Sequence, residues 1–487
     1  MKFLLLSDLG SKPTRGGLLK NNSRASGALH IVQTANNLGI EATNIDYWRD
    51  WDIDLIKDSI VAWFGDEQEP WIGLSGSIDG SSTDEFKILV HLLKKEIPLL
   101  KVILGGYRVP VGEDSWVDMA FIGRSSNIFI KWMTGEDISE FIIYTDKGPA
   151  RPTTYKNPHG TILETPVAPI LKKEDFWDSR ETHTIELALG CKFNCSFCGY
   201  DFRNNKNPVL IDEEQLFKSI QSAYTDFGIT NFVLADDTIN EVDTKLELLA
   251  RVNEQLDFEP NYMAFVRVDV LGAQPHQIEL LKKARINSMF FGIESMTPGV
   301  TKLIRKGGKP ERMLSALRLV RDNYPEAFTY GNFIIGLTGD DEPSILNSCD
   351  IIIDEQLLTS AGCNTLRLFS NLENPDVESD MDKDPKKFGY EIIGTDQEYR
   401  DLGYSSQLWE NDWSNSASAE ELSAKVDIYL GDNLTSKFTS HEIFGLQALL
   451  PDEKWQSYNT KYTLTNQIRN KIVKKYIKNK SNWMSTR

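Results

Sequence analysis

Short apolar runs alternate with amphipathic stretches in two separate blocks of the chain, 1–135 and 181–370. In the first block Lys2–Leu6, Thr43–Tyr47, Trp71–Ser75, Val102–Leu104 and Met119–Ile122 read as strands. Leu29–Leu38, Leu55–Phe64 and Glu85–Glu96 read as helices. Strand–helix alternation predicts an α/β domain with a doubly wound, Rossmann-like parallel sheet. Residues 136–180 carry Pro149, Pro152, Pro158, Pro166 and Pro169 and read as a linker with some short strands. The second block predicts strands at 184–189, 231–235, 262–267, 288–292, 329–335 and 363–369. Its helices fall at 212–226, 243–256, 275–285, 310–323 and 342–354, the first announced by Asp212-Glu213-Glu214. Six β/α units predict a partial, TIM-like (β/α)6 barrel, whose chemistry belongs at the C-terminal ends of its strands. Residues 371–487 are less periodic and read as a mainly helical capping region. Its first part, 371–415, is polar, and helices begin near Ala419.

The chain has 487 residues and a net charge of −18. That balance repels nucleic acid phosphate over most of the surface and argues against a bulk nucleic acid partner. The exception is Lys461–Arg487, with eight basic and no acidic residues. Ile468, Ile472 and Tyr476 stand there at i, i+4 spacing, which makes an amphipathic basic helix. A docked helix with a solvated outer face is the plain reading, and a contact for an anionic partner the other. No apolar run approaches the roughly 18 residues of a membrane helix. Met1–Leu6 turns polar at Ser7-Asp8, too soon for a signal-peptide core. Few cysteines and no paired framework fit a reducing, cytoplasmic setting.

Three of the five cysteines are clustered as Gly190-Cys191-Lys192-Phe193-Asn194-Cys195-Ser196-Phe197-Cys198. Three thiolates in C-x3-C-x2-C spacing can ligate three irons of a [4Fe-4S] cube and leave the fourth without a protein ligand. An open metal position is a binding site. A structural zinc loop would need a fourth ligand. The nearest histidine, His183, lies beyond a predicted strand, roughly 20 Å away at about 3.3 Å per residue. Cys349 and Cys363 read as buried structural thiols.

Polar groups follow the later strands of the same block: Asp236 and Asp237, then Arg267 and Asp269, then Gly292-Ile293-Glu294-Ser295, then Gly336-Leu337-Thr338-Gly339. Each alone is ordinary, since acids after strands are commonly helix caps. Together with the cysteine loop and its Phe197, this order resembles the radical S-adenosylmethionine (SAM) superfamily over about 181–345. The resemblance implies a [4Fe-4S] cluster on Cys191, Cys195 and Cys198 that binds and reductively cleaves SAM. It implies that Asp236 or Asp237 holds the methionyl amino group, that Arg267, Glu294 and Ser295 line the SAM carboxylate and ribose, and that Gly336 lets the chain pass close to the adenine. Lys306-Gly307-Gly308 also resembles the family segment after the fourth strand. It further implies an electron donor such as a flavodoxin or ferredoxin.

A small doubly wound domain ahead of such a barrel resembles the cobalamin-binding-domain subgroup. Ser75-Gly76-Ser77, Leu104-Gly105-Gly106 and Asp118–Gly123 fit that pattern. Ser75, Ser77, Gly105 and Gly106 would then accommodate cobalamin. The subgroup's histidine after the first strand is missing: the segment is Asp8-Leu9-Gly10-Ser11-Lys12-Pro13, and Arg124 stands where an acid is common. Any cobalamin would therefore lack a histidine on its lower face. It would sit between the first sheet's C-terminal edge and the barrel mouth. Three readings follow. They are a cobalamin-dependent radical SAM enzyme acting on a small molecule, by methyl transfer or a related modification; a cobalamin-independent one with a vestigial or substrate-binding first domain; and a non-catalytic iron–sulfur protein. Tyr404, Trp409 and Trp413 are candidates to close over the site.

Overall fold

A computed structural model describes residues 1–8, 22–75, 83–106, 116–145, 148–150, 152–156, 164–200, 206–369, 379–396, 406–453 and 462–487. They form two compact units. The first comprises Met1–Thr184, Ser222–Ile229 and Leu464–Arg487, and the second Ile185–Gln221 and Thr230–Thr463.

The first unit is built on β1 (Lys2–Ser7), β2 (Glu41–Ile45), β3 (Pro70–Ser75), β4 (Lys101–Gly106) and β5 (Met119–Ile122). The hairpin β6 (Tyr144–Thr145) and β7 (Gly148–Pro149) precedes β8 (Thr153–Lys156). The sheet order is β2-β1-β3-β4-β5-β8, and each neighbouring pair is parallel. Alternate side chains go to opposite faces. Phe3 and Leu5 join one core with Trp71, Ile103 and Phe121; Leu4 and Leu6 join the other with Ile72, Leu74, Val102 and Leu104. A strand buried on both faces reads as a continuous apolar run, which is why Phe3–Leu6 shows no alternation.

Two sequence expectations change here. The stretch read as a linker supplies β8 to this sheet and falls within the first unit. The basic terminal helix, Tyr462–Met484, belongs to this unit and not to a separate cap. Of the spaced apolar residues Ile472 and Tyr476 are buried and Ile468 is half-buried, and Val473 and Met484 are buried beside them. Two of its cations are buried as well: Arg469 pairs with Asp50 at 2.9 Å, and Lys480 donates to Thr43 Oγ1 at 2.8 Å. Burial lowers the Lys480 ammonium to about 8 and raises the nearby Asp175 carboxyl to about 6.

The centre of this unit is Arg24, fully enclosed. Its guanidinium donates to both Glu181 oxygens at 2.8 and 2.7 Å, to Asp46 at 3.3 Å and to the Asp175 carbonyl at 2.6 Å. It lies between the rings of Trp177 and Tyr476, 4.2 and 4.5 Å from their centroids. Four distant stretches thus share one cation.

The second unit carries the sheet β9 (His183–Ile185), β12 (Asn231–Leu234), β13 (Asn261–Val266), β14 (Ile286–Glu294), β15 (Phe328–Ile335) and β16 (Ser360–Thr365). These stand side by side in chain order, as a partial (β/α)6 barrel requires. The predicted first strand, 184–189, is broken after Ile185. Its end, β10 (Ala188–Leu189), pairs instead with β11 (Val209–Leu210) in antiparallel sense. A small sheet, β17 (Leu368–Phe369), β19 (Ser406–Glu410) and β18 (Glu391–Thr395), follows the barrel. The helix Ser416–Asn433 lies on β16, where Asp427 accepts the Cys363 N–H at 2.7 Å. The helix Ser440–Leu449 is tied to β14 through Ser440 Oγ, which donates to the Met289 carbonyl at 2.7 Å. Cys349 and Cys363 are buried, the latter donating to the Ser423 carbonyl at 3.1 Å. Among the described residues no helix is long and apolar enough to cross a membrane.

Removing one partner from a buried charge network leaves the others uncompensated. Arg24→Met is expected to cost roughly 3–5 kcal/mol in urea unfolding of the first unit, followed by tryptophan fluorescence. An unchanged urea midpoint would show that apolar packing alone holds these four stretches together.

Candidate active site

The break in the first barrel strand has a specific cause. Asp236, just past β12, accepts the N–H of Leu187 at 2.8 Å and of Ala188 at 2.9 Å. Those amides are therefore bonded to a carboxylate and not to a neighbouring strand. Lys245, on the apolar face of the helix Asp243–Gln255, pairs with Asp236 at 3.1 Å and with Glu241 at 2.7 Å. Glu241 in turn accepts the Lys192 N–H at 2.9 Å. A buried cation thus ties together two carboxylates that together fix the chain just before and within the cysteine loop. Asp236 is committed to this scaffold and has no face toward a ligand. Sequence reading missed Glu241 and Lys245; the available signal was a lysine among Leu246, Leu248 and Leu249.

The loop is pinned from the other side as well. Ser196 N–H donates to the Ile304 carbonyl at 3.0 Å, and Ser196 Oγ to that of Leu303 at 3.2 Å. Cys191, Phe193, Cys195, Phe197 and Cys198 all line one cavity of about 390 Å³. Residues of the strands and their ends line it: Phe265, Val266 and Arg267, then Phe290, Gly292 and Glu294, then Asn332 and Ile334, then Asn364 and Thr365. Among the described residues no three His, Cys, Asp or Glu side chains converge on one ion-sized point. The three cysteines border a shared space. Burial pushes the Cys191 thiol up to about 12, so it ionises readily only against a bound cation.

Arg267 stands at the join. It donates from Nη1 to Cys195 Sγ at 3.1 Å and grips Asp269 through Nε and Nη2 at 3.0 and 2.8 Å. Nη2 also donates to the Lys306 carbonyl, and the guanidinium lies 3.7 Å from the centroid of Phe193. It touches the cavity, but these donors are spent on protein, chiefly to hold a cysteine sulfur. A ligand carboxylate would have to compete with Asp269.

Glu294 sits on a register shift between β14 and β15 and has a left-handed φ of 65°. A bulge re-aims a side chain, and strain of this kind persists where surrounding structure enforces it. Glu294 Oε1 accepts from Lys306 Nζ at 3.0 Å. A Cβ at residue 292 would lie 2.5 Å from that carboxylate oxygen and 2.9 Å from Lys306 Nζ. A larger residue there would make the Glu294 and Lys306 side-chain ends shift. Asp237 also lines the cavity. Burial raises its carboxyl to about 7, against a hydrogen bond with Tyr200.

Two expected ligand residues are placed otherwise. Ser295 is buried, and its Oγ accepts the Thr297 N–H at 3.0 Å, capping a turn. Gly336 has φ +100°, and a Cβ on it would meet Trp409 Cη2 at 2.3 Å. Its carbonyl accepts from Tyr390 at 3.1 Å and Asn411 at 2.9 Å. Trp409 and Trp413 donate to the Leu366 and Leu337 carbonyls at 3.0 and 2.9 Å, so they brace the ends of the last strands and do not line the cavity. Tyr404 lies outside the described residues. In the first unit Ser75 and Gly105 are register partners at the C-terminal ends of β3 and β4, beside Gly106, and all three are partly exposed. Ser77 and the segment 9–13 lie outside the described residues.

Gly336→Ala is expected to lower the thermal midpoint by several degrees through the Trp409 clash. A variant with wild-type melting and weakened SAM binding would return Gly336 to a ligand role.

Comparison with known proteins agrees with this geometry. Residues 185–352 match the family model of the Radical SAM superfamily. A putative methylthiotransferase of Methanocaldococcus jannaschii is 28% identical over 181 residues, 36% of this chain; the match spans 39% of that relative's own length. The solved structure of the radical SAM methyltransferase TsrM from Kitasatospora setae, with tryptophan substrate and a SAM analogue bound, superimposes with a TM-score of 0.64 at 13% identity. The superposition covers 97% of this chain and 99% of that one. OxsB, a cobalamin-dependent SAM radical enzyme, superimposes with a TM-score of 0.59 at 14% identity over 100% of this chain and 79% of its own. Residues 185–352 are therefore a radical SAM domain, set in a chain that shares its fold with TsrM and OxsB.

Proposed function

We propose that this chain is a radical SAM enzyme that binds a [4Fe-4S] cluster through Cys191, Cys195 and Cys198 and cleaves SAM reductively to modify a small molecule. The observation that carries this is the convergence of all three cysteines with Asp237 and Glu294 on one cavity at the strand ends. A bound cluster would supply the electron that breaks a SAM C–S bond, and the resulting carbon radical would start the substrate chemistry.

The chain's own groups account for the rest. Arg267 donates a hydrogen bond to Cys195 sulfur, which stabilises the thiolate and influences the potential of whatever it ligates. Asp237 is exposed on the cavity, and among the described residues no lysine or arginine stands at hydrogen-bond distance from its carboxyl, so an ammonium group beside it gains a charge-assisted contact. The Glu294–Lys306 pair offers an acceptor and a donor for ribose hydroxyls and a carboxylate. Phe193, Phe197, Phe265 and Phe290 line the cavity and exclude water from a reactive intermediate.

We extend the reading to cobalamin-dependent methyl transfer. The small, partly exposed residues Ser75, Gly105 and Gly106 end adjacent parallel strands, where ligands of open α/β sheets bind. The whole-chain likeness to TsrM and OxsB favours the same assignment. The described residues of that sheet edge include no histidine.

Anaerobically reconstituted protein is expected to hold about four irons and four sulfides. Cys195→Ala should lose both the cluster and SAM cleavage; full cleavage by that variant would refute the assignment. Asp237→Asn should retain iron but bind SAM roughly 10- to 100-fold more weakly, the worth of a charged hydrogen bond. Unchanged affinity would remove Asp237 from the site. Protein loaded with cobalamin should show no axial histidine splitting in the paramagnetic resonance of Co(II). If no cobalamin is taken up, the cobalamin-independent reading replaces this one.

A further inference from the structure

His441 is the second residue of the helix Ser440–Leu449. A capping box fixes that helix start: Thr439 Oγ1 accepts the Glu442 N–H at 3.3 Å, and Glu442 accepts the Thr439 N–H at 2.9 Å. Ser440 binds the Met289 carbonyl in the first half of β14, so the helix start is held against the inside of the barrel sheet below its C-terminal edge. The His441 ring lies 5.3 Å from Phe265 and 6.0 Å from Phe290, centroid to centroid. Phe265 and Phe290 are register partners on adjacent strands. Both are half-exposed, and both line the cavity under the cysteine loop.

His441 combines two properties that rarely coincide. Protein surrounds it closely enough that burial lowers its imidazole to about 4. Yet its side chain remains exposed. His441 is not itself among the residues that line the cavity; its ring lies against the two phenylalanines that do. No hydrogen bond to either ring nitrogen is found among the described residues. An exposed ring nitrogen with no protein partner is open to a ligand or water.

We propose that His441 forms the polar floor of the substrate pocket and there hydrogen-bonds an uncharged, planar aromatic group bearing a ring N–H or O–H. This rests on the radical SAM reading of the same cavity. The chemistry follows from the lining. Phe265 and Phe290 offer ring faces, which favour a flat aromatic partner. A neutral imidazole offers one acceptor nitrogen and one donor. The nearby Asn332 and Asn364 amides, joined at 2.8 Å, add neutral polar groups and no charge. A cationic or anionic group at the floor would meet no counter-charge among these residues. Pockets of this kind take their specificity from few polar groups on an apolar wall.

The test uses full-length, cluster-loaded protein and two probes, indole and 1-methylindole, which differ in the ring N–H. Indole is expected to bind about threefold to tenfold more tightly, the worth of one neutral hydrogen bond. In protein with labelled histidine, indole should shift one imidazole resonance that 1-methylindole leaves in place. His441→Phe, and separately His441→Gln as a check that keeps a polar group, should show the shifted signal to be residue 441. The phenylalanine variant should bind both probes alike. Wild-type protein that holds four irons and cleaves SAM, yet binds the two probes equally or neither, overturns the inference alone. Protein that assembles no cluster overturns the reading beneath it.

Discussion

The site depends on one buried guanidinium. Arg267 holds Cys195 sulfur with one nitrogen and Asp269 with two others, and it also takes the carbonyl of Lys306. Through Lys306 the same network reaches Glu294. Pieces from three parts of the barrel thus share a single cation, with Phe193 against its face. Guanidinium suits this task because its donors form a rigid fork and it stays charged when buried. Ammonium could not grip a carboxylate with two nitrogens and a sulfur with a third. The loop cysteines are held by their surroundings as much as by their own backbone.

A second buried cation supports the other side of the loop. Lys245 joins Asp236 and Glu241, which together accept amides from Leu187, Ala188 and Lys192. This arrangement interrupts a strand and so gives up ladder hydrogen bonds, but each freed amide finds a carboxylate. The first unit uses the same device on its own. Arg24 holds Glu181, Asp46 and the 175–176 carbonyls, and the terminal helix closes over it with Tyr476. Buried ion pairs add little net stability compared with apolar packing, but they fix which segments meet.

Much of this was legible in the sequence, because it is periodic or closely spaced. Most strands of both sheets follow from apolar runs, β8 excepted, and the cysteine loop from its spacing. Gly292-Ile293-Glu294 was readable as a motif, although its setting was not: the glycine lies beside the pair that Glu294 makes with Lys306, fourteen positions after the glycine. Other positions are not legible locally, because long-range pairing decides their surroundings. Asp236 and Asp237 are neighbours of one chemical type, and only the fold sends the first to backbone amides and leaves the second facing the cavity. Gly336 reads as a ligand contact until Trp409 is placed against it. The basic terminal helix looked solvated, yet two of its cations are buried in the first unit through contacts more than 400 residues distant in sequence. His441 carries no local signal at all. Its significance comes from a helix start held against the barrel interior.

The central claim is a cluster with three cysteine-ligated irons and one open iron that receives SAM. Mössbauer spectra of protein reconstituted with iron-57 under anaerobic conditions test it most directly. Added SAM is expected to change the isomer shift of one iron in four and leave the other three in place. Four irons that respond alike, or none that respond, would contradict the account.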